Sequence, residues 1–572
     1  MKQFKNIQRS FFITFILAIS GMIVTPVYAS EFHVTTSQEL QTALSTAAEN
    51  NQSDSIFLAA GIYKGNFRMN TEESDTSITI QAEEGLNAGN VILDGEERDR
   101  VLLIDSGNNE LNINIENITV RNGKVSGGAG IRIKTKGEVT IDKCNIQNNY
   151  STSHGGGFYF ESASNIYITK TNFNNNTAYN SSSSENVYGA GLYVISIDLF
   201  SFSDNNVFSN DTNSNNTNWR SAGTGTLYVT AKEVLFRSNS ISKNNAKSNS
   251  AFRISASSKM VFENNTINNN ENNNYSDYGS GTIGISAPEV EFNNNHITNN
   301  KGVGYITGNN LLMLESNSII NNSGSSNGVM RLSSILFTAR NNIVTSNDSY
   351  DKGCLYITSS GTINLINNTI SKNKTKGYGG GIYLDINNTT AILNLYNNII
   401  WGNTAENEGS DIYLNGYGSK KNSYNNNVHD IVGTFDFSVN NIDVAPLFIN
   451  TEKNDYHLGA GSLCINAGTN DAPEIPGLDL DGNPRIGDNT VDIGAYEHSS
   501  TDYHPADANN DWTLTSAEVT AYETAWKNGS QWSEGPAQIP MNYLTRAGFL
   551  QQSAGAYENA GGAKPLCWIP VD

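Results

Sequence analysis

Val290-Glu-Phe-Asn-Asn-Asn-His-Ile-Thr-Asn-Asn300 has the same pattern as Met260-Val-Phe-Glu-Asn-Asn-Thr-Ile-Asn-Asn-Asn270 and Val234-Leu-Phe-Arg-Ser-Asn-Ser-Ile-Ser-Lys-Asn244. Each copy alternates apolar and polar residues, then reads Asn-x-hydrophobic-x-x-Asn. The hydrophobic slot falls at Ile118, Ile146, Phe173, Val207, Ile241, Ile267, Ile297, Ile319, Ile343, Ile370 and Ile400, at spacings of roughly 22 to 34 residues. A unit this short cannot close a core alone. It must stack on copies of itself, and the product is a solenoid.

Two strands are legible in most units. One follows glycine, as in Gly157-Phe-Tyr-Phe160 and Gly381-Ile-Tyr-Leu384, and the other precedes the slot, as in Ile166/Ile168 and Leu393/Leu395. Both alternate with a period of two, the pattern of strands with one buried face. An antiparallel sandwich fits poorly, because whole multi-strand units recur rather than single strands joined by hairpins. Two residues before the slot stand Asn205, Asn239, Asn265, Asn295, Asn317, Asn341, Asn368 and Asn398. An amide has two N–H donors and a carbonyl acceptor, so stacked copies can bond from coil to coil as an asparagine ladder.

Upstream, Phe32-His33-Val34 reads as a strand. Thr36 and Glu39 form a capping box, and Leu40, Ala43, Leu44 and Ala47 an apolar stripe. A helix there would plug the open end of the stack. Downstream, repeats stop after about residue 445, Gly, Pro and Asp rise through 446–498, and 499–506 is a polar linker. Pro446-Leu447-Phe448 is expected to pack on the last coil and block further stacking. Asp479, Asp481 and Asp492 suit either Asx turns or a cation.

The 572 residues carry a formal net charge of −21 with no basic patch, which argues against nucleic acid as a partner. Lys2, Lys5 and Arg9 precede the apolar run Phe11–Val24 and Val27-Tyr28-Ala29, the layout of a secretory signal peptide over 1–29. No later apolar run reaches the ~18 residues of a membrane span. The expected location is therefore extracellular or the cell surface. Cys144, Cys354, Cys464 and Cys567 are too sparse for a disulfide scaffold. Cys144 reads as a core residue, and Cys464 with Cys567 is the one pair worth testing as a bridge.

The repeat, the ladder and the capping helix resemble the right-handed parallel β-helix of the pectin-lyase-like superfamily over 30–445. That superfamily holds polysaccharide lyases, glycoside hydrolases and adhesins, so the resemblance implies a fold and leaves the activity open. The segment with Leu478-Asp-Leu-Asp-Gly-Asn-Pro-Arg485 and Val491-Asp-Ile-Gly-Ala-Tyr-Glu497 is similar to the choice-of-anchor Q segment that ends many secreted β-helix proteins.

Asp507-Ala-Asn509-Asn-Asp511-Trp-Thr513-Leu-Thr515-Ser-Ala-Glu518 offers oxygen ligands at positions 1, 3, 5, 7, 9 and 12 of a twelve-residue loop, as an EF-hand does for calcium. Glu518 opens a helix over Val519–Trp526. Trp512 stands where the sharp turn ordinarily has glycine. Loop plus exiting helix resembles a dockerin, which implies a cohesin-like partner. A dockerin has two such loops, whereas the second half here, Asn542–Leu550, keeps a helix without an acidic loop. The expectation is one calcium site within a module over 507–572, held by Asp507, Asn509, Asp511, Thr513, Thr515 and Glu518.

The middle residue of the post-glycine strand points outward. Successive coils present Arg132, Tyr159, Tyr193, Tyr228, Arg253, Gly284, a slot near Gly304 whose register is open, Arg331, Tyr356, Tyr383 and Tyr413. Such a column suits sugar rings and acidic groups, and it equally suits plain strand stabilisation. No catalytic pair is legible: outward acids are scarce, Asp198 and Asp385 form no obvious couple, and His154 reads as a turn residue. The expected function is binding of an extracellular polysaccharide or a surface protein. The alternative is a polysaccharide-degrading lyase or glycoside hydrolase.

Overall fold

The computed structural model describes residues 29–571, apart from 162–163, 181–185, 215–224, 247–249, 273–280, 303, 325, 387, 417–418, 460, 487–488, 499–502, 510, 531, 533–537, 554 and 560–563; the side chains of 196, 213 and 214 are also undescribed. The signal-peptide expectation lies outside the described residues. No helix among them is long and apolar enough to cross a membrane.

The chain is a parallel β-helix. Every strand pairing between Ser30 and Val439 is parallel, and each strand pairs with its counterpart one coil away. The first sheet holds the post-glycine strands, such as Ile131–Lys134 and Phe158–Glu161. The second holds Val139–Asp142, Ile166–Thr169 and their equivalents. In mid-stack the two fuse into single bent strands, among them Leu192–Ser203, Phe252–Glu263 and Leu355–Ile366, with register irregularities at the bends. The third sheet has 14 short strands, from Gly61–Lys64 to Asn427–Val428.

The slots line the core side of the third sheet at near-zero exposure. Two of the eleven expected slots are off register. Val120 pairs with Ile146, so Val120 rather than Ile118 occupies the slot; Ile319 pairs with Val344, displacing Ile343. Each unit there is rich in adjacent apolar residues, and only cross-coil pairing selects among them. Inside, Phe202, Phe236, Phe262 and Phe292 stack at centroid separations of 5.1, 4.6 and 5.9 Å.

The ladder exists, with one correction of identity. Asn205, Asn239, Asn265, Asn295, Asn317, Asn342, Asn368, Asn398, Asn426 and Asn441 pass their side-chain amides coil to coil at 2.9–3.2 Å. Asn342 takes the rung expected for Asn341, which turns outward. Each amide nitrogen also donates to a carbonyl of the preceding coil, as Asn265 does to Phe236 at 3.0 Å. A second ladder, not anticipated, uses the other asparagine of the motif. It runs Asn149, Asn176, Asn210, Asn244, Asn270, Asn300, Asn322, Asn347, Asn373, Asn403 at 2.9–3.1 Å and ends on Asp411. The residue before each rung is left-handed, for example Asn264 (φ 59°) and Asn294 (φ 53°). Asparagine tolerates that conformation better than most residues, which accounts for the Asn-Asn doublets.

Helix α1 (Ser37–Ala47) closes the first coil. Thr36 and Glu39 form the capping box, and Leu40, Ala43, Leu44 and Ala47 are buried. At the other end the structure overturns the expected cap. Residues 446–498 do not lie across the end of the last coil but along the flank of the stack. Phe448, Tyr456, Leu458, Cys464 and Ile493 pack sideways on Ile320, Ile343, Ile399 and Trp401, outward residues of the third sheet. The last rung, Phe437–Val439, is exposed, and partly buried Phe435 and Ile431 close the core. Asp479 and Asp492 bond to backbone N–H groups, and Asp481 pairs with the His457 ring at 2.6 Å. Asp479 accepts from Asp481, Asn483 and Glu497, and Asp492 accepts from Asn466.

The C-terminal residues form their own core. Helices α2 (Ser516–Lys527) and α3 (Met541–Gln552) pack with Tyr557, Cys567 and Trp568. All four cysteines are buried and none is in a disulfide, and Cys464 and Cys567 belong to different clusters.

Candidate functional site: an aromatic and cationic column

The outward column on the first sheet is continuous in register: Arg132, Tyr159, Tyr193, Tyr228, Arg253, Gly284, Tyr305, Arg331, Tyr356, Tyr383, Tyr413. The open slot near Gly304 is Tyr305. Rings lie face to face or tilted on the rungs above and below. Tyr159–Tyr193 are 5.0 Å apart, Tyr193–Tyr228 5.3 Å and Tyr383–Tyr413 5.2 Å, whereas Tyr356–Tyr383 meet edge-on at 5.5 Å. Tyr193, Tyr356 and Tyr383 are only 9%, 6% and 8% exposed. Much of the column therefore stabilises the sheet and has no free face for a ligand.

The covering comes from the loops that enter the sheet. His154 lies 4.9 Å from Tyr188 and 4.8 Å from Tyr193, and Tyr188 lies 4.7 Å from Tyr228. The backbone N–H of Tyr188 donates to His154 Nδ1 at 3.2 Å, which leaves the proton of a neutral ring on Nε2. Farther up, Lys352 Nζ stands 4.2 Å from the Tyr356 centroid and 5.0 Å from that of Tyr383, and Tyr378 is 5.0 Å from Tyr413. His154 reads in the sequence as a turn residue, and Tyr188, Lys352 and Tyr378 do not stand out there. Their only signal was their position just before the post-glycine strand.

Charge along the column is uneven. Arg132 bonds Glu161 at 3.0 Å, and Tyr159 donates to the same carboxylate at 2.8 Å. Burial raises the Glu161 carboxyl, but Tyr159 and Arg132 outweigh it and hold it below the usual range. Burial first, then neighbouring tyrosines, push the Tyr193 phenol up to about 12; burial, then Asp385, does the same at Tyr383. These phenols stay protonated, and Glu161 stays ionised and paired, so none of the three is poised to move a proton. Tyr356 Oη donates to Asp385 at 3.2 Å.

Arg253 and Arg331 differ from Arg132. Neither has an ion-pair partner among the described residues. Arg253 lies 5.9 Å from the Tyr228 centroid and Arg331 5.5 Å from that of Tyr356. Between them stand Gly284, which adds no side chain, and half-buried Tyr305. Three coils separate the arginines, roughly 14 Å at the spacing of neighbouring strands.

The loop at Asp507 is partly assembled. Asp507 is buried and accepts from Trp512 N at 3.0 Å and from Tyr557 Oη at 2.7 Å. Asn509 donates to Asp511 at 3.0 Å. Trp512 has φ 63°, the left-handed turn for which an EF-hand uses glycine. Glu518 faces elsewhere: its carboxylate caps α2, accepting from Thr515 N (2.9 Å) and Oγ1 (2.7 Å). Thr513 bridges to Ala556, beyond α3. Among the described residues no three of His, Cys, Asp or Glu are grouped to hold a metal ion.

No protein-family profile matches the chain, and no curated protein does. Among solved structures, a mannuronic acid-specific polysaccharide family 6 lyase from human gut microbiota is similar over 72% of this chain and 91% of its own, at 12% identity and a TM-score of 0.28. Pectate lyase Pel9A is similar over 83% of this chain and 98% of its own, at 12% identity and a TM-score of 0.26. The β-helix assignment rests on this chain's own strand pairing, and likenesses this distant do not bear on its function.

Proposed function

We propose that this protein binds an acidic extracellular polysaccharide along the outward column of its first sheet, centred on Arg253, Gly284, Tyr305 and Arg331. The observation that carries the proposal is two arginines, without ion-pair partners among the described residues, on either side of the Gly284 and Tyr305 rungs, the first of which has no side chain. Elsewhere the column is stacked upon itself or internally neutralised. Glycan chains repeat at a spacing close to that of β-coils, so a uronate or sulfated chain lying along the axis would meet both guanidinium groups. Titrating uronate, sulfated and neutral polysaccharides against the protein by calorimetry tests this. Anionic glycans should bind and Arg253→Ala with Arg331→Ala should abolish the signal; equal affinity for neutral glycans overturns the proposal. Accumulation of unsaturated or reducing-end products in the same mixtures would instead establish the polysaccharide-degrading alternative.

The leader-like residues 1–29 support an extracellular or cell-surface location, which detection in culture supernatant would test. We also propose that the 507–518 loop binds one calcium ion through Asp507, Asn509, Asp511, the Thr513 carbonyl, Thr515 or a water, and Glu518. The left-handed Trp512 and the Asp507 bond to its N–H support this. Binding would require Glu518 to exchange its Thr515 bonds for the cation. Calcium titration followed by Trp512 fluorescence tests it: a flat response at millimolar calcium, unchanged in Asp507→Ala, overturns it. A cohesin-like partner is the corresponding proposal for the module, tested by pull-down with and without calcium.

A further inference from the structure

Residues 462–498 run back along the flank of the last coils rather than across their end. Asn425 donates to Ala467 O at 2.9 Å. One coil earlier, Asn397 exchanges bonds with Thr469 at 3.0 and 2.7 Å. One coil earlier again, Asn367 donates to Asp492 O at 3.0 Å and Gly494 O at 3.2 Å, and Ala495 N donates to Thr369 Oγ1 at 3.0 Å. At the fourth coil Asn341 donates to Leu478 O at 2.7 Å and accepts from Arg485. All four asparagines are the left-handed residues beside the ladder. In coils that the segment does not cover, the same position also holds Ser316, Ser238, Asp204, Lys170 and Lys143.

The segment's innermost bond is an ion pair, Arg485–Glu497 at 2.9 Å, with side chains 1% and 5% exposed. Glu497 also accepts from Asp492 N at 3.1 Å, and its own N–H bonds Asp479. The chain thus leaves this cluster, toward the C-terminal module, beside the neighbouring coils of Asn341 and Thr369. The exposed rung at Phe437–Val439 lies several coils beyond.

We propose that residues 462–498 are a clasp that carries tension from the C-terminus into the interior coils and keeps the terminal rung out of the force path. A stack of parallel coils contacts only its neighbours. Pulled from its last rung, it opens coil by coil, each step breaking few bonds. Pulled through the clasp, it meets four coils, a buried ion pair and an apolar interface together, and these must fail at once. The uncovered last rung then bears no force, which fits its thin closure by the partly buried Phe435 and Ile431.

Single-molecule pulling on the full chain tests this with one handle at Lys232→Cys, an exposed position on an interior coil, and the second either at the C-terminus or at Ala445→Cys, an exposed position between the last rung and the clasp. Forced unfolding reports the unfolding barrier, so the solenoid should rupture at about twofold higher force, in one large step, from the C-terminus, and in small successive steps from residue 445. Thr369→Val, which removes the acceptor of Ala495 N with little change of shape, should lower only the C-terminal force. Equal forces and the same step pattern from both attachments overturn the proposal, as does a Thr369→Val effect of equal size at both.

Discussion

Asn403 gives both its backbone N–H (3.1 Å) and its side-chain amide (2.8 Å) to a single oxygen of Asp411. On every lower rung the acceptor is another asparagine. The other oxygen of Asp411 accepts from the backbone of His429 and Asp430, each at 3.2 Å. A ladder rung must accept below and donate above. At the last rung only N–H groups remain, and a carboxylate, which accepts on both oxygens, satisfies all four. Burial pushes its carboxyl up, against these bonds. Asp411→Asn should turn an NH₂ toward two N–H donors and lower stability by about 1–3 kcal/mol, read by denaturant unfolding. An unchanged midpoint would show that the ladder end tolerates either group.

Asn300→Ala should be among the most damaging interior changes. It removes the acceptor of Asn270 N and Nδ2 and the donor to Ile267 O and Asn322. Orphaning several buried groups should cost roughly 3–5 kcal/mol, whereas Thr298→Ala on the outer face should change stability by about 0.5 kcal/mol or less. Similar melting temperatures for the two variants would mean that the rungs are replaceable by water.

Tyr193→Ala and Arg253→Ala should separate stability from binding. Tyr193 is 9% exposed and stacked on both sides, so its loss should lower the melting temperature. Arg253 is exposed, so Arg253→Ala should leave melting unchanged and weaken acidic-glycan binding, with a shallower salt dependence. If Arg253→Ala lowered melting as much as Tyr193→Ala, the arginine would belong to the scaffold.

His457 should make the clasp weaker in alkali. Burial opposes its charge, but Asp455 (2.5 Å) and Asp481 (2.6 Å) more than offset that and push the imidazole up to about 10. The folded value lies above the ordinary 6.5, so the contribution is complete below about 6.5 and is lost as pH rises through about 10. The protection of 455–498 against hydrogen exchange, taken relative to the base-catalysed intrinsic rate at each pH, should fall across that window in the wild type and not in His457→Gln. An identical pH profile in both would exclude His457 as the source.

His504 should give the C-terminal module the opposite dependence. Its burial against Tyr522, Tyr543 and Trp568 pulls the imidazole down to about 4. The stabilisation is therefore present above 6.5 and lost as pH falls through about 4. Nδ1 accepts from Ala506 N and Nε2 faces Tyr543 O, as a neutral ring requires. Tryptophan fluorescence of the full chain should report loosening of the module on acidification; His504→Phe should flatten that response, and an unaltered response would assign it to another group.

The coil repeat, the first ladder and α1 were legible in the sequence because each is set by contacts of fixed spacing. A rung needs an amide at a constant offset from an apolar residue, and a capping box needs Thr36 and Glu39 three apart. The second ladder lay in the same motif, written in its last asparagine, and went unread because nothing in one chain segment says which side chain turns inward.

Three features depended on tertiary structure. Choosing Val344 over Ile343 and Asn342 over Asn341 required the strand alongside, since a shift of one residue exchanges inside for outside. The clasp had a faint signal: Ile320, Ile343 and Ile399 stand at outward positions of the third sheet that are mostly polar in earlier coils. What covers them is more than a hundred residues away in the chain for Ile320 and Ala495. The column's tyrosines read as outward-facing, suited either to a ligand or to stabilising the sheet, and loop residues His154, Tyr188, Lys352 and Tyr378 cover much of them. Periodicity along the chain encodes neighbours that recur at a fixed interval, so the sequence by itself determined the solenoid. Lateral docking and loop cover bring together residues with no common interval, and only the folded chain decides them.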